Sequence, residues 1–173
     1  IYINSSGFIS ISDATGYTSS AISQGEWTHV TITRNNSAIT SNGGNLTIYV
    51  DGTQVASELD SGDNWFSTPD PLLGARRQFG GNVENFNGPL DGFQIYNRSL
   101  SSTEISSLYS LGRDGGVVNS TGLVGHYRFN DNTASDSSSA GNDGTFVDNA
   151  TTSFPVNNLV AYWNFGIDNG STA

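Results

Sequence analysis

Cysteine, methionine and lysine are absent from this chain of 173 residues. Without cysteine there is no disulfide, no thiolate nucleophile and no cysteine zinc site. A chain of this length can still bury a core sufficient for one large β domain, or for one domain and part of another. Six arginines supply all the Lys/Arg charge, and the net charge is −10. Binding a polyanion takes stripes of Lys and Arg that displace its counterions, so nucleic acid is not an expected partner. An anionic membrane surface is disfavoured on the same ground. Only 13% of residues are charged, about half the ~25% of ordinary soluble domains. No apolar run approaches the ~20 residues that span a bilayer, so membrane insertion is not expected. The chain opens with "IYINSSG", without an initiator Met or a signal peptide and already inside a strand pattern. We read it as a mature or excised piece of something longer.

Gly, Ser, Thr and Asn fill the space that charge leaves, which is the profile of a β-rich extracellular or cell-surface protein with many turns. "FISISD" (residues 8–13) alternates with period 2, as a half-buried strand does. In "EWTHVTITRNN" (26–36), Trp27, His29, Thr31 and Thr33 fall on one side, and Thr28, Val30 and Ile32 on the other. "NLTIYVDGTQVASE" (45–58) predicts a hairpin, with Leu46, Ile48 and Val50 on one face and Asp51-Gly52 as the tight turn. "DPLLGARR" (70–77) and "GPLDGFQIYNRSL" (88–100) read as further strands, the latter with Leu90, Phe93 and Ile95 as its apolar members. One helix stands among them. Ser101 and Glu104 are spaced as a capping box, Ile105, Leu108 and Tyr109 share a face, and Gly112 is placed to stop it. "RDGGVVNSTG" (113–122) reads as a linker.

The run "WTHVTITRNN…LTIYVDGTQVASE…PLLGAR…NGPLDGFQIYNRSLSSTEISSLY" resembles the second half of a laminin-G-like domain of the concanavalin A-like lectin/glucanase superfamily, over about residues 25–111. The resemblance implies an all-β jelly-roll sandwich with one short helix at its edge. First halves of such domains open on Leu-Val-x-Tyr-x-Phe and an Asp-Ser-Ser-Gly-Asn-x-Gly turn. Here "LVGHYRFNDNTASDSSSAGNDGTFV" (123–147) is similar to that opening but follows the second half, and "LVAYWNF" (159–165) is similar to it again. The chain therefore divides into residues 1–112, the second half of a sandwich, and 113–122, a linker. Residues 123–156 are an opening strand and turn that complete this or a neighbouring sandwich, and 157–173 are an additional opening strand. A sandwich lacking its opening strand has an unpaired edge, which 123–147 would close by folding back in a circularly permuted arrangement. The strand built on Leu159, Val160, Tyr162, Trp163 and Phe165 would then be open to donation to another subunit. Either strand could instead go to a neighbour, giving self-association through strand exchange. A cut through a tandem array explains the same order without assembly.

Site chemistry is sparse. A glucanase needs two carboxylates flanking a cleft, and no Glu-x-Asp-x-x-Glu pattern exists; Glu26, Glu58, Glu84 and Glu104 are scattered through strand ends, a loop and the cap. His29 and His126 lie in strand patterns and read as packed side chains, so no catalytic residue is expected and the chain is not expected to be an enzyme. Hard cations take carboxylate, amide and carbonyl oxygens. The resemblance implies Ca²⁺ in the turn "SDSSSAGNDG", with Asp136, Asn142 and Asp91 as ligands, although its Ser-Ser-Ser-Ala run is longer than usual. A solvated Asx-rich turn is the competing reading. Trp65 and Phe66 in "GDNWFSTP" are the candidate glycan contacts, with a packing plug as the alternative. Glycosylation acceptors occur at Asn4, Asn35, Asn45, Asn97, Asn119, Asn149 and Asn169. The expected role is a structural or adhesive subunit of a surface filament, sheath or adhesin, joined by strand complementation. The alternative is a Ca²⁺-dependent glycan-binding module of a larger secreted protein.

Overall fold

The structure is a computed structural model that describes residues 2–3, 8–11, 17–23, 25–35, 45–59, 72–77, 83–86, 88–113, 116–130, 133–146 and 161–166. Strands β1 (Tyr2–Ile3), β2 (Phe8–Ile11) and β3 (Tyr17–Ala21) form one small antiparallel sheet. Strands β4 (Thr28–Asn35), β5 (Asn45–Val50) and β6 (Thr53–Leu59) form a meander in the main sheet, and β7 (Ala75–Arg77) pairs with β8 (Val83–Asn85). The main sheet is completed by β9 (Asp91–Tyr96), β10 (Leu123–Tyr127) and β11 (Ala161–Gly166), in the order β10-β9-β11-β4-β5-β6. The single described helix, α1, runs over Ser102–Leu111. This is the all-β architecture that the alternating patterns predict.

Local chemistry accounts for most elements. Asp51 and Gly52 both take positive φ, 49° and 74°, as a two-residue hairpin turn of type I′ requires. A Cβ on Gly52 would also lie 3.2 Å from the Tyr109 side chain, so both conformation and space call for glycine. At the helix start, the Ser101 hydroxyl accepts from the Glu104 N–H at 3.3 Å, and the Glu104 carboxylate accepts from the Ser101 N–H at 2.9 Å. Gly112, with φ 72°, ends the helix and donates its N–H to the Tyr109 carbonyl at 3.0 Å.

Both faces of the main sheet are covered, which is why β4 is buried from Thr28 to Thr33 despite its polar alternation. Val30, Ile32, Leu46 and Ile48 pack with Ile9 of the small sheet, and Trp27, Leu90 and Phe93 lie around them. On the opposite face Tyr49, Tyr96 and Leu100 meet Ile105 and Leu108 of the helix. Tyr49 and Tyr96 belong to strands separated by β4 and β11, so the helix lies across the sheet face. The expected place for the helix was the sandwich edge, and this is corrected. Its Ile105–Leu108 stripe needs a broad apolar partner, which two tyrosines and a leucine supply.

Segment 113–122, expected as a linker, is tied down where it is described. Gly116 O accepts from Gln94 Nε2 at 2.9 Å, Asn119 Nδ2 donates to Glu104 at 3.0 Å, and Thr121 O accepts from Arg98 Nε at 2.7 Å. This strap delivers the chain to β10, which pairs antiparallel with β9, its Leu123 opposite Tyr96 and its Tyr127 opposite Phe93.

Candidate functional site

Two features of the fold could carry function: the turn after β10, and strand β11.

The turn is organised around one carboxylate. Asp136 Oδ1 accepts from the N–H groups of His126 and Ser138, each at 2.8 Å. Its Oδ2 accepts from the Ser138 hydroxyl at 2.8 Å and from the Asn142 N–H at 2.9 Å. A carboxylate offers about four lone-pair sites, and all are used. These bonds hold Asp136 below the usual carboxylate range against the opposing effect of burial. The Asn142 side chain donates to Val124 O at 2.7 Å, and Asp143 accepts from the Asp136 N–H at 2.8 Å. The turn is thereby fastened to β10 on both sides.

The structure thus brings two of the three expected calcium ligands, Asp136 and Asn142, into one turn. The third, Asp91, faces Arg113, whose Nε lies 3.9 Å from its Oδ2. Among the described residues no group of three or more His, Asp or Glu side chains could hold a metal. In this arrangement the four lone-pair sites of Asp136 are taken by N–H and O–H donors and are not turned to a cation.

Both strand histidines are buried, each 5% exposed. His29 stacks on Tyr109 with ring centroids 5.9 Å apart, and its Nε2 lies 3.4 Å from the Thr31 hydroxyl. Burial lowers its pKa to about 4. The acceptors Asn35, Asn45, Asn97 and Asn119 are exposed. The Asn119 amide, however, already donates to Glu104 and accepts from the Thr121 N–H at 2.9 Å. Asn4, Asn149 and Asn169 lie outside the described residues, as do Trp65, Phe66, Leu159 and Val160.

Tyr162, Trp163 and Phe165 lie on β11, which the structure places inside the sheet of its own chain. Tyr162 is opposite His29 on one side and Asp91 on the other; Phe165 is opposite Ile32 and Ile95. Both ladders are parallel, whereas the other described pairings are antiparallel. The repeated Leu-Val opening signals a strand but not its neighbours, because pairing direction leaves no local trace. Sequence reasoning also missed the groups where β10 runs out: Arg128, Phe129, Asn130, Ser135 and Ser137 line a pocket there. They carry no recognisable motif.

A laminin-G-type family model, described as Concanavalin A-like lectin/glucanases superfamily, matches residues 1–106. The chain belongs to this superfamily. The match covers the small sheet, the β4–β6 meander, β9 and the first half of the helix, and it accords with the sandwich seen here. Membership supports a carbohydrate-binding or adhesive type of module, and laminin-G-like domains are typically extracellular. No described helix is long and apolar enough to cross a membrane. Comparison with curated proteins and with solved structures returned no significant match.

Proposed function

We propose that this chain is an adhesive, structural module of a cell-surface assembly, and that β11 is the element through which copies join. The carrying observation is the seat of β11 combined with the length of chain that leads to it. Tyr127 of β10 pairs with Phe93 and Tyr162 of β11 pairs with Asp91, on opposite sides of β9. Those two strands are therefore about two inter-strand spacings apart, ~10 Å. The connection runs over residues 128–160. Even the stretch 147–160 alone, at up to ~3.3 Å per residue, spans several times that gap. A longer connection costs little extra closure entropy, so the same strand reaches the β9–β4 slot of a second copy while the turn after β10 stays in place. Exchange of an identical element between copies is a low-cost route to association. The parallel ladders on both flanks of β11 are the slightly weaker kind, which favours release.

The absence of native cysteine makes the test clean. Asn164 and Thr31 are register partners. A Thr31→Cys copy and an Asn164→Cys copy, mixed and oxidised, are expected to form a covalent dimer, because Cα atoms of laterally paired strands lie within disulfide range. If only a double variant cross-links, and only within one chain, β11 stays at home and the assembly reading fails. The alternative is a Ca²⁺-dependent glycan-binding module; of its expected ligands, Asp136 is engaged by four N–H and O–H donors and Asp91 faces Arg113. Its proposed contacts Trp65 and Phe66 lie outside the described residues.

A further inference from the structure

The fold separates Asn-x-Ser/Thr acceptors that residue order leaves equivalent. Modification needs two groups within reach of one enzyme, the acceptor amide and the hydroxyl two residues on, which is why such a motif belongs to a surface loop. Three acceptors have their whole motif among the described residues: Asn45, Asn97 and Asn119. At Asn45 the motif runs into the sheet. Asn45 opens β5 opposite Asn35, and Leu46 is buried. The Thr47 hydroxyl is buried with it, 3.3 Å from the Ser57 hydroxyl. At Asn97 the acceptor is exposed, but Ser99 is half-buried and its hydroxyl donates to Arg34 O at 2.6 Å. The Asn97 amide also lies against the strap, where a Cβ on Gly122 would stand 2.6 Å from its Oδ1. Asn119 differs on each count. Asn119, Ser120 and Thr121 are all exposed, in the irregular strap ahead of β10.

The strap also holds this acceptor in one pose. Asn119 Oδ1 accepts from the Thr121 N–H at 2.9 Å, an Asx-turn that keeps the amide beside Thr121. Thr121 O is held by Arg98 Nε at 2.7 Å, and Ser120 O accepts from the Leu123 N–H at 3.1 Å. Glu104 takes one hydrogen of the Asn119 amide, at 3.0 Å. A side-chain amide carries two. Attachment of a glycan replaces one of them, so the other still donates to Glu104. A side chain ordered in advance lowers the ordering cost of its capture.

We propose that Asn119 is a site of N-linked glycosylation, and that the fold closes Asn45 and Asn97 to the same modification. The donor is an oligosaccharide carried on a polyprenyl diphosphate. The new bond joins Asn119 Nδ2 to the anomeric carbon of the first sugar. The bond from that carbon to the phosphate oxygen breaks, and the polyprenyl diphosphate leaves with its electron pair. The proton shed by Nδ2 passes to a base of the transferase. Laminin-G-like domains are typically extracellular, and exported chains are those on which such acceptors are used. Asn119 lies on the strap and not on β11, so the proposal stands apart from strand exchange.

The test uses the full chain, purified folded and unmodified from a bacterial cytoplasm. It is incubated with a solubilised eukaryotic oligosaccharyltransferase and its lipid-linked oligosaccharide, and occupancy of each acceptor is read by glycopeptide mass spectrometry. Short synthetic peptides spanning the three motifs are the reference, and all three are expected to be modified. In the folded chain Asn119 is expected to be occupied and Asn45 and Asn97 to stay empty. Thr121→Ala removes the hydroxyl but keeps the backbone bonds of the strap, and is expected to abolish modification of Asn119. Ser120→Ala is expected to leave it unchanged. The proposal is overturned if Asn119 stays unmodified in the folded chain, or if Asn45 or Asn97 is occupied ahead of it. It is overturned too if the free peptides show the same preference as the chain, since residue order and not the fold would then choose.

Discussion

His29 is a strand histidine silenced by its surroundings. Its ring is buried between Thr31 and Tyr109, and its backbone N–H donates to Asp51 Oδ1 at 2.9 Å beside the hairpin turn. Burial favours the neutral ring, with a folded pKa of about 4 against an ordinary 6.5. Between those values the unfolded chain binds a proton that the folded chain refuses. The stability contributed is therefore complete above pH 6.5 and declines as the pH falls towards 4. Urea unfolding at pH 7 and pH 4.5 is expected to show a smaller pH-dependent loss in His29→Phe than in the native chain. Equal losses would remove His29 from the account. The alternation around His29 was readable, with Val30 and Ile32 on the opposite side. The complete burial of Gln94 was not. Leu90, Phe93 and Ile95 drew the eye to the apolar face of that strand, but Gln94 is fully buried because Gly116 O and the Tyr96 hydroxyl satisfy its amide. Such partners exist only after the strap has folded back.

The helix and the hairpin turn were legible as elements, because their signals are local. A capping box occupies four consecutive residues, and a type I′ turn two. Ser101→Ala removes the cap to the Glu104 N–H and is expected to cost about 1 kcal/mol, read as a lower urea midpoint at unchanged slope. A change of only a few tenths would mean that Arg98 alone holds the helix start. That residue forks onto Glu104 at 2.7 and 3.0 Å and, as the leading cause, holds the Glu104 carboxyl down at about 2. The helix's position across the sheet was not legible, since an apolar stripe says that a partner is needed and not which one. Asp136 illustrates the same limit. Its acidic, Asn-rich turn matched a calcium pattern in the sequence, and only the placement of four donors around its oxygens made it a structural anchor.

At the scale of the molecule the main sheet depends on its third strand. Removing β11 leaves a β10–β9 pair and a β4–β5–β6 meander with no described strand between them. A chain truncated after Val156 is expected to lose the cooperative unfolding of the native chain and to bind a hydrophobic dye, as core under the divided sheet is uncovered. Unfolding identical to that of the native chain would mean that β11 contributes nothing to the sheet. The division of labour between sequence and structure follows from range. Periodicity, turn chemistry and caps act over a few residues, so the strands, the helix, the family and the all-β class could be read from residue order. The doubled opening strand could be noticed in the same way. Which edge β10 closes, and that β11 lies parallel between β9 and β4, depend on contacts between residues far apart in the chain. Backbone hydrogen bonds are nearly indifferent to side-chain identity, so one apolar strand fits several slots, and only the closing of the whole sheet selects among them.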